Sequence, residues 1–521
     1  METSIGDLIR HSAVKYSDKT ALIVDGRRYS FTEIDTLSSN VAAHLVRRGL
    51  EPGSRVSLYS PNCAEWIIAY YGILKAGCVA NPLNLMLTAS EAQYAIRDCQ
   101  AAAVFGQLDK LAALREQSDS TGPSLISFQG PSGEIEGFEA WTAALPEPMT
   151  DGRLVAPDAF STIAYTSGTT GNPKGAVLSH RSILLNTAMT ATFHVRTAQD
   201  TVVSALPLSH VYGNIVMNSA IAYGMTLVLH STFKPEDILG SIQQHRATIF
   251  EGVPTMYMYL LDFPQLADYD LSSLTRCTVG GQTMPLTKME QVEARLGVPL
   301  LELWGMTELG GLGTTHCLHG PRRLGSIGIP LPFMQARVVG PSSDLPLATN
   351  EVGELVLKGP LTMEGYLNAP DATAETIDAE GWLHTGDLAY IDGDGFIYIV
   401  DRLKDMIITG GYNIYPAELE RVLCAHPAVA MAAVVGVPDS TKGELAKAFV
   451  VLARGMSVTQ DELLEFCRTR LANYKRRLAR YAGIERPQLR VLAMAVSAEC
   501  PPDMIGPQDA IYLSADGRAL Q

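Results

Sequence analysis

The stretch Tyr165-Thr-Ser-Gly-Thr-Thr-Gly-Asn-Pro-Lys-Gly175 combines hydroxyl groups, glycines and a single lysine. Thr162-Ile-Ala-Tyr165 and Ala176-Val-Leu178 on either side are short, apolar and β-prone, so the stretch is predicted to connect two strands. Glycines let backbone N–H groups approach an anion closely, hydroxyls donate further hydrogen bonds, and Lys174 adds a compact positive charge. The sequence therefore predicts a phosphate-binding loop. Its spacing excludes the G-x-x-x-x-G-K-[ST] loop of kinases and GTPases, and a surface loop without a function is the alternative.

The segment Thr166–Gly175 resembles the signature loop of the adenylate-forming superfamily, which contains acyl- and aryl-CoA ligases, firefly-type luciferases and peptide-synthetase adenylation domains. The resemblance extends from the N-terminus to about Lys475. It implies a carboxylic acid, ATP and CoA as substrates, with Mg²⁺ as the metal. Lys174 is implied as a catalytic residue, and the ATP-binding residues implied in this loop are Thr166, Ser167, Gly168, Thr169, Thr170 and Gly171.

Composition limits the other possibilities. With 521 residues, of which 47% are apolar, the chain is long enough for several subdomains with ample cores. A net charge of −15 argues against a protein that binds nucleic acid by neutralising phosphates. No secretory signal and no membrane-spanning run is expected, and the longest apolar run, Ala428 to Val437, is predicted to be a buried strand. Eight cysteines without metal or disulfide spacing favour the reducing cytoplasm. A homodimer is left open.

The order of elements predicts an α/β fold. Up to about Pro157, apolar strands alternate with amphipathic helices, which is typical of doubly wound α/β layers. Asp25-Gly26 predicts a hairpin, and the polar residues Gln117 to Asp151 are interpreted as a surface connection. The resemblance implies a large ATP- and acyl-binding domain over 1–400, including a β-barrel-like subdomain, and a small mobile α+β lid over 401–521.

The predicted acyl pocket rests on Ala205-Leu-Pro-Leu-Ser-His-Val-Tyr-Gly213. An isolated histidine among apolar residues is more often a satisfied core residue, but the resemblance places His210 and Tyr212 at the border of the pocket and gives His210 a catalytic role. No aspartate follows that could hold a substrate amine, so a simple carboxylic acid is favoured over an amino acid. The remaining residues implied for the pocket are glycines, which could equally be turn formers: Gly252, Gly280, Gly305 and Gly311.

Leu303-Trp-Gly-Met-Thr-Glu308 resembles the family's aromatic-Gly-x-Thr-Glu motif. The resemblance implies that Trp304 packs on adenine, that Thr307 bonds a phosphate oxygen and that Glu308 holds Mg²⁺, which prefers one or two carboxylates together with phosphate oxygens. Trp382-Leu-His-Thr-Gly-Asp387 resembles the segment whose aspartate accepts both ribose hydroxyls. The further nucleotide-binding residues implied are Gly281, Gln282, Gly305 and Arg402.

The segment that begins at Asp401 resembles the link between the two domains. The resemblance makes Asp401 the hinge and places Gly410 and Gly411 beside the tunnel for the pantetheine of CoA. Relatives then carry a glycine-lysine loop, whereas here no lysine follows Lys475 and the tail after residue 476 is atypical. A shifted reading frame and a genuine divergence are both open, and a weakened adenylation step is expected.

The sequence therefore predicts an AMP-forming acyl-CoA ligase. A medium- or long-chain fatty acid is the first expectation, because the acyl-pocket segments carry no fixed charge. An aryl or cinnamoyl acid is the alternative substrate. A protein that binds an acyl-adenylate without turnover, or a luciferase-like oxidase, would be a different class of function.

Overall fold

The computed structural model describes residues 4–116, 122–145, 153–166, 173–340, 345–409, 412–439, 443–452 and 456–470. Within these ranges the chain forms two large sheets with helices packed on them, an antiparallel four-stranded sheet, and a further four-stranded sheet towards the C-terminus. This confirms the α/β class and the presence of a smaller C-terminal unit.

The helices alternate with strands as predicted. The hairpin at Asp25-Gly26 is confirmed, since both residues have positive φ and the strands beside them pair antiparallel. The α-helices are α1 (Gly6–Tyr16), α2 (Phe31–Arg47), α3 (Ala64–Lys75), α4 (Ala89–Asp98), α5 (Leu108–Glu116), α6 (Glu139–Thr142), α7 (His180–Phe193), α8 (Val211–Ala222), α9 (Pro235–His245), α10 (Pro254–Asp262), α11 (Leu286–Leu296), α12 (Pro370–Thr376), α13 (Pro416–Cys424) and α14 (Gln460–Arg468).

The strands are mostly short and apolar, as buried strands of α/β sheets usually are. They are β1 (Thr20–Val24), β2 (Arg27–Ser30), β3 (Arg55–Tyr59), β4 (Val79–Pro82), β5 (Ala103–Gly106), β6 (Ser124–Ser127), β7 (Glu136–Gly137), β8 (Phe160–Thr166), β9 (Lys174–Ser179), β10 (Thr201–Ser204), β11 (Thr226–Leu229), β12 (Ile249–Gly252), β13 (Arg276–Val279), β14 (Leu300–Met306), β15 (Gly311–Thr315), β16 (Ile329–Pro330), β17 (Gln335–Val339), β18 (Gly353–Lys358), β19 (Gly365–Tyr366), β20 (Leu383–Ile391), β21 (Ile397–Arg402), β22 (Ile407–Thr409), β23 (Tyr412–Ile414), β24 (Val429–Asp439) and β25 (Gly443–Leu452).

Two sheets carry the large part of the molecule. One has the strand order β16-β15-β14-β13-β12-β10-β11-β1-β2, and the other has the order β19-β9-β8-β4-β3-β5-β6-β7. Helix α3 packs on the second sheet, α8 packs on the first, and α1 contacts both helices. Helices α3 and α8 are therefore buried on nearly every face, including Trp66, Tyr70 and Tyr71 in α3.

The interpretation of Gln117 to Asp151 as a surface connection is wrong in part. Strands β6 and β7 from this segment extend the second sheet in parallel, and α6 follows them. Ile126 is fully buried, and Trp141 is buried with its ring 5.1 Å from that of Phe105. The few apolar residues between the polar stretches are therefore core residues. In the four-residue strand β6, the two apolar residues are both buried.

The strands that flank the phosphate loop are confirmed. Strands β8 and β9 pair antiparallel, with Thr166 opposite Lys174 at the open end of the pair. The loop between them lies outside the described residues, and with it five of the residues implied to bind ATP: Ser167, Gly168, Thr169, Thr170 and Gly171.

The β-rich part that follows forms the open antiparallel sheet β17-β18-β20-β21, and the C-terminal unit has the order β23-β22-β25-β24. The run Ala428 to Val437 forms a strand as predicted, but the expectation that it is buried is wrong: Met431 is 58% and Val435 45% exposed. Among the described elements, α13 is the one that packs extensively on β24, so the opposite face of that strand remains open to solvent. None of the helices in the described ranges combines the length and apolarity that a membrane crossing requires.

Candidate active site

The candidate site lies where several strands of the first sheet end. Strands β12, β13 and β14 run parallel, so their carboxyl ends meet at one edge. Gly252 ends β12, Gly280, Gly281 and Gln282 follow β13, and Trp304 lies near the end of β14. In open α/β sheets, ligands bind beyond the carboxyl ends of the strands. Residues far apart in the sequence are thereby collected at a typical ligand-binding position.

Two glycines of this edge are explained by packing alone. A Cβ on Gly305 would lie 2.0 Å from the carbonyl oxygen of Gly311, and a Cβ on Gly311 would lie 2.6 Å from the side chain of Ile215. Gly311 also has a φ of +152°. Strands β14 and β15 and helix α8 therefore approach too closely for any side chain at these positions. The role of these glycines, and of Gly252 and Gly280, in an acyl pocket stays a prediction.

Glu308 lies in the short 3-10 turn Thr307–Leu309 at the end of β14, directly after the half-buried Thr307. Its side chain is only 6% exposed. The Tyr366 hydroxyl donates a hydrogen bond of 2.6 Å to Oε1 of Glu308. Within the described residues, Oε2 accepts no hydrogen bond. A buried carboxylate with one oxygen available fits the preference of Mg²⁺ for few carboxylates plus phosphate and water oxygens.

Lys174 begins β9 and is half-buried. Its ammonium nitrogen lies 5.4 Å from the centroid of the Tyr366 ring, within the range of a cation–π contact. The same tyrosine therefore contacts the lysine that ends the phosphate loop and the carboxylate implied to hold the metal. Sequence reasoning did not single out Tyr366, since no periodicity or charge distinguishes Gly365-Tyr366 from an ordinary short strand.

A second polar cluster joins three of the residues implied to bind the nucleoside. The indole N–H of Trp304 donates to Oδ2 of Asp387 at 2.8 Å, and Nε of Arg402 lies 3.5 Å from Oδ1. Burial raises the pKa of Asp387, partly offset by the hydrogen bond from Trp304 and the charge of Arg402. Strands β20 and β21 pair Asp387 with Arg402, and Trp304 joins them from the end of β14. Their part in binding ribose and adenine stays a prediction.

His210 begins α8, where its ring accepts a hydrogen bond from the backbone N–H of Tyr212. The side chain is exposed, yet the protein around it lowers its pKa through desolvation. This position agrees with a place at a pocket border, whereas the catalytic role of His210 stays a prediction.

Tyr212 leads into a buried network that sequence reasoning missed. Its hydroxyl contacts Thr278 Oγ1 at 2.6 Å and Oε2 of Glu251 at 3.2 Å. Glu251 is fully buried on β12, and Arg196 Nη2 lies 2.6 Å from its Oε1. Burial and the charge of Glu251 raise the pKa of Tyr212 strongly. The signal was present in Phe250-Glu-Gly-Val-Pro254, because a carboxylate inside an apolar strand requires a buried partner.

Asp401, the predicted hinge, is buried near the end of β21. Its carboxylate accepts hydrogen bonds from the backbone N–H groups of Arg402 and Ala417, at 2.7 and 2.9 Å. It therefore fixes the start of α13 against the preceding strand. Movement about this residue stays a prediction, and Gly410 and Gly411 lie outside the described residues.

The arrangement offers the chemistry that joining two anions requires. Lys174 brings fixed positive charge to the edge of the phosphate loop, Glu308 offers an oxygen to a metal, and Trp304 with Asp387 presents an aromatic face beside a carboxylate. Fixed charges that act on a transferring phosphoryl group supply much of the catalysis in such reactions.

Comparison with known proteins gives consistent matches. The family model for AMP-binding enzymes matches residues 9–367, and the model for the AMP-binding enzyme C-terminal domain matches residues 418–483. The chain is 36% identical to a long-chain-fatty-acid–CoA ligase of Bacillus subtilis over 508 residues, covering 91% of this chain and 90% of the relative. It is also 36% identical to a feruloyl-CoA synthase of an Amycolatopsis species over 461 residues. The match covers 88% of this chain and 90% of the relative.

Among solved structures, ATP-bound MatB from Rhodopseudomonas palustris superposes with a TM-score of 0.83 at 30% identity, covering 90% of this chain and 93% of that one. The fold is therefore shared along nearly the whole chain.

Proposed function

The chain belongs to the AMP-binding enzyme family as an AMP-forming acid–thiol ligase that uses ATP and CoA, and from this premise we propose that its acid is a medium- or long-chain fatty acid. The observation that supports this substrate is the compensated charge beside Tyr212. The carboxylate of Glu251, which contacts the Tyr212 hydroxyl, lies 2.6 Å from Nη2 of Arg196. A pocket without a free charge suits an acyl chain.

The reaction has two steps. The carboxylate of the acid attacks the α-phosphorus of ATP, which forms acyl-AMP and releases pyrophosphate. The thiolate of CoA then attacks the acyl carbonyl, which forms the thioester and releases AMP. Lys174 and Thr307 are proposed to bind phosphate oxygens, while Asp387 and Arg402 hold the ribose beside Trp304. A Mg²⁺ ion held by Glu308 would neutralise phosphate charge.

The missing lysine affects the first step. In the family that this chain resembles, a lysine of the C-terminal loop bridges the substrate carboxylate and the α-phosphate. In this sequence no lysine follows Lys475. Loss of one charge that acts in the transition state costs on the order of 10²–10³ in rate. We expect slow adenylation and a thioester step that is comparatively intact.

An aryl or cinnamoyl acid is the second candidate substrate. It is favoured by the aromatic ring of Tyr212 at the predicted pocket border and by the relative that is named a feruloyl-CoA synthase. A flat aromatic acid could pack against this ring, whereas a long saturated chain needs depth beyond it.

The decisive experiment is ATP–pyrophosphate exchange over a panel of fatty and aryl acids. It compares this chain with a version in which the residues after Arg476 are replaced by a glycine-lysine ending. Exchange that is weak here and rises at least tenfold in the second version supports the proposal, and the responding acid identifies the substrate class. Silence of both versions with every acid contradicts it. Tight acyl-adenylate binding without thioester would then favour a binding protein, and light or oxygen consumption an oxidase.

We further propose that the enzyme acts in the cytoplasm. The cysteines that the structure describes are free thiols, which suits a reducing compartment. Gel filtration with light scattering would decide between a monomer and a homodimer.

A further inference from the structure

The segment 363–367 joins the two parts of the site that carry opposite charge. The backbone N–H of Met363 donates to the carbonyl of Glu308 at 2.7 Å, and the N–H of Leu367 donates to the carbonyl of Gly175 at 2.8 Å. Between them, Tyr366 pairs with Ala176 of β9. The position of Tyr366 is therefore fixed by backbone hydrogen bonds to both the turn of Glu308 and the strand of Lys174.

The side chain of Tyr366 contacts both charged groups. Its hydroxyl donates a hydrogen bond to Oε1 of Glu308, and the ammonium nitrogen of Lys174 lies over its ring, 5.4 Å from the centroid. Among the described residues, no ion pair joins Lys174 directly to Glu308.

We propose that Tyr366 is a positioning residue that keeps Lys174 and Glu308 apart and leaves Glu308 a single oxygen for the metal. The proposal rests on the proposed function only in taking Glu308 as the metal ligand. Lys174 and Glu308 carry opposite charges, contact the same tyrosine and are partly removed from water, so without that side chain they would attract each other. Pairing would neutralise the two groups before ATP binds. Tyr366 instead gives Glu308 a hydrogen bond and Lys174 a cation–π contact, and both groups keep their charge.

The test measures metal binding apart from turnover. Binding of Mn²⁺ is followed by electron paramagnetic resonance in the presence of an ATP analogue with a methylene group between the α- and β-phosphates. Tyr366→Phe removes only the hydroxyl and is expected to weaken Mn²⁺ binding about tenfold, the lower end of what loss of an outer partner of a metal ligand costs. Tyr398→Phe is the matched control, because its hydroxyl also donates to a carboxylate, Asp392, but at the opposite end of the β20–β21 pair from Asp387 and Arg402.

The separating role of the ring is tested in a second background. Tyr366→Leu is expected to weaken Mn²⁺ binding more than Tyr366→Phe does, because Lys174 can then reach Glu308. Adding Lys174→Met to Tyr366→Leu should restore Mn²⁺ binding at least in part, as a double-mutant cycle would detect. Thermal unfolding of each variant verifies that it is folded.

Equal Mn²⁺ binding by Tyr366→Phe and the unchanged chain would overturn the proposal, as would a Tyr366→Leu defect that Lys174→Met leaves in place. Absence of Mn²⁺ binding in the unchanged chain would also overturn it, because Glu308 would then hold no metal. None of these measurements needs an acid, so they remain separate from the outcome of the exchange assay.

Discussion

Glu308 and Glu251 are both buried glutamates near strand ends of the same sheet, but their surroundings differ. Glu251 is fully buried and contacts Arg196, Tyr212 and Thr278. Glu308 has one side-chain partner among the described residues, the neutral Tyr366. A carboxylate enclosed by a cation and hydroxyls serves the fold, whereas one with an available oxygen can serve a ligand. The number and charge of the partners distinguish the two roles, and burial alone does not.

The largest effect is expected from Glu251→Gln. It leaves Arg196 buried without its counter-charge, and breaking a buried ion pair on one side costs about 3–5 kcal/mol of stability. Urea unfolding measures this loss. Replacing both partners by apolar residues, as in Arg196→Met with Glu251→Leu, should recover most of it. If Glu251→Gln left stability unchanged but abolished Mg²⁺ dependence, the assignment of the two glutamates would be reversed.

Glu308→Gln should leave stability nearly unchanged and reduce activity. Tyr366 can still donate to the amide oxygen, so the free energy of unfolding should change by less than about 1 kcal/mol. Pyrophosphate exchange should fall by about 10²–10³-fold, the usual cost of losing one charge contact in the transition state. Glu293→Gln, which removes a glutamate paired with Arg322 away from the site, is the control. Equal loss of exchange in both variants would contradict a special role for Glu308.

Only one side of this contrast was accessible from the sequence. Glu308, Trp304 and Asp387 each lie in a contiguous motif that the sequence analysis singled out, whereas Glu251 was not singled out. The presence of β8 and β9 on either side of the predicted loop also follows from local patterns, because glycines and hydroxyls interrupt two short apolar runs.

The partners of these motifs come from elsewhere in the chain. Tyr366 is 58 residues from Glu308, and Arg196 contacts Glu251 from the connection between α7 and β10. Contacts of this kind depend on strand order, which a local pattern does not determine. The same limit explains the misread segment Gln117 to Asp151 and the exposed face of β24: both depend on which elements cover a strand, and the strand's own residues do not specify that.

Glu302 sharpens the comparison, because it is buried like the other two glutamates and has neither a cation nor a ligand-binding position. It lies on β14 with 5% exposure, and its Oε2 has no hydrogen-bond partner among the described residues. Burial raises its pKa to about 8. An isolated carboxylate of this kind avoids its desolvation cost by keeping its proton.

The consequence is a pH dependence of stability with a defined sign. The unfolded chain releases this proton near the ordinary glutamate pKa, whereas the folded chain holds it up to about pH 8. Stability is therefore lost as pH rises through that interval, and Glu302→Gln removes this loss. From pH 5 to pH 7, the stability of Glu302→Gln should rise relative to the unchanged chain by about 2–3 kcal/mol. Urea unfolding at both pH values measures the change, and Glu290→Gln on the exposed face of α11 should show no such trend. Parallel pH profiles for Glu302→Gln and the unchanged chain would mean that Glu302 is ionised and has a partner, as Glu251 does.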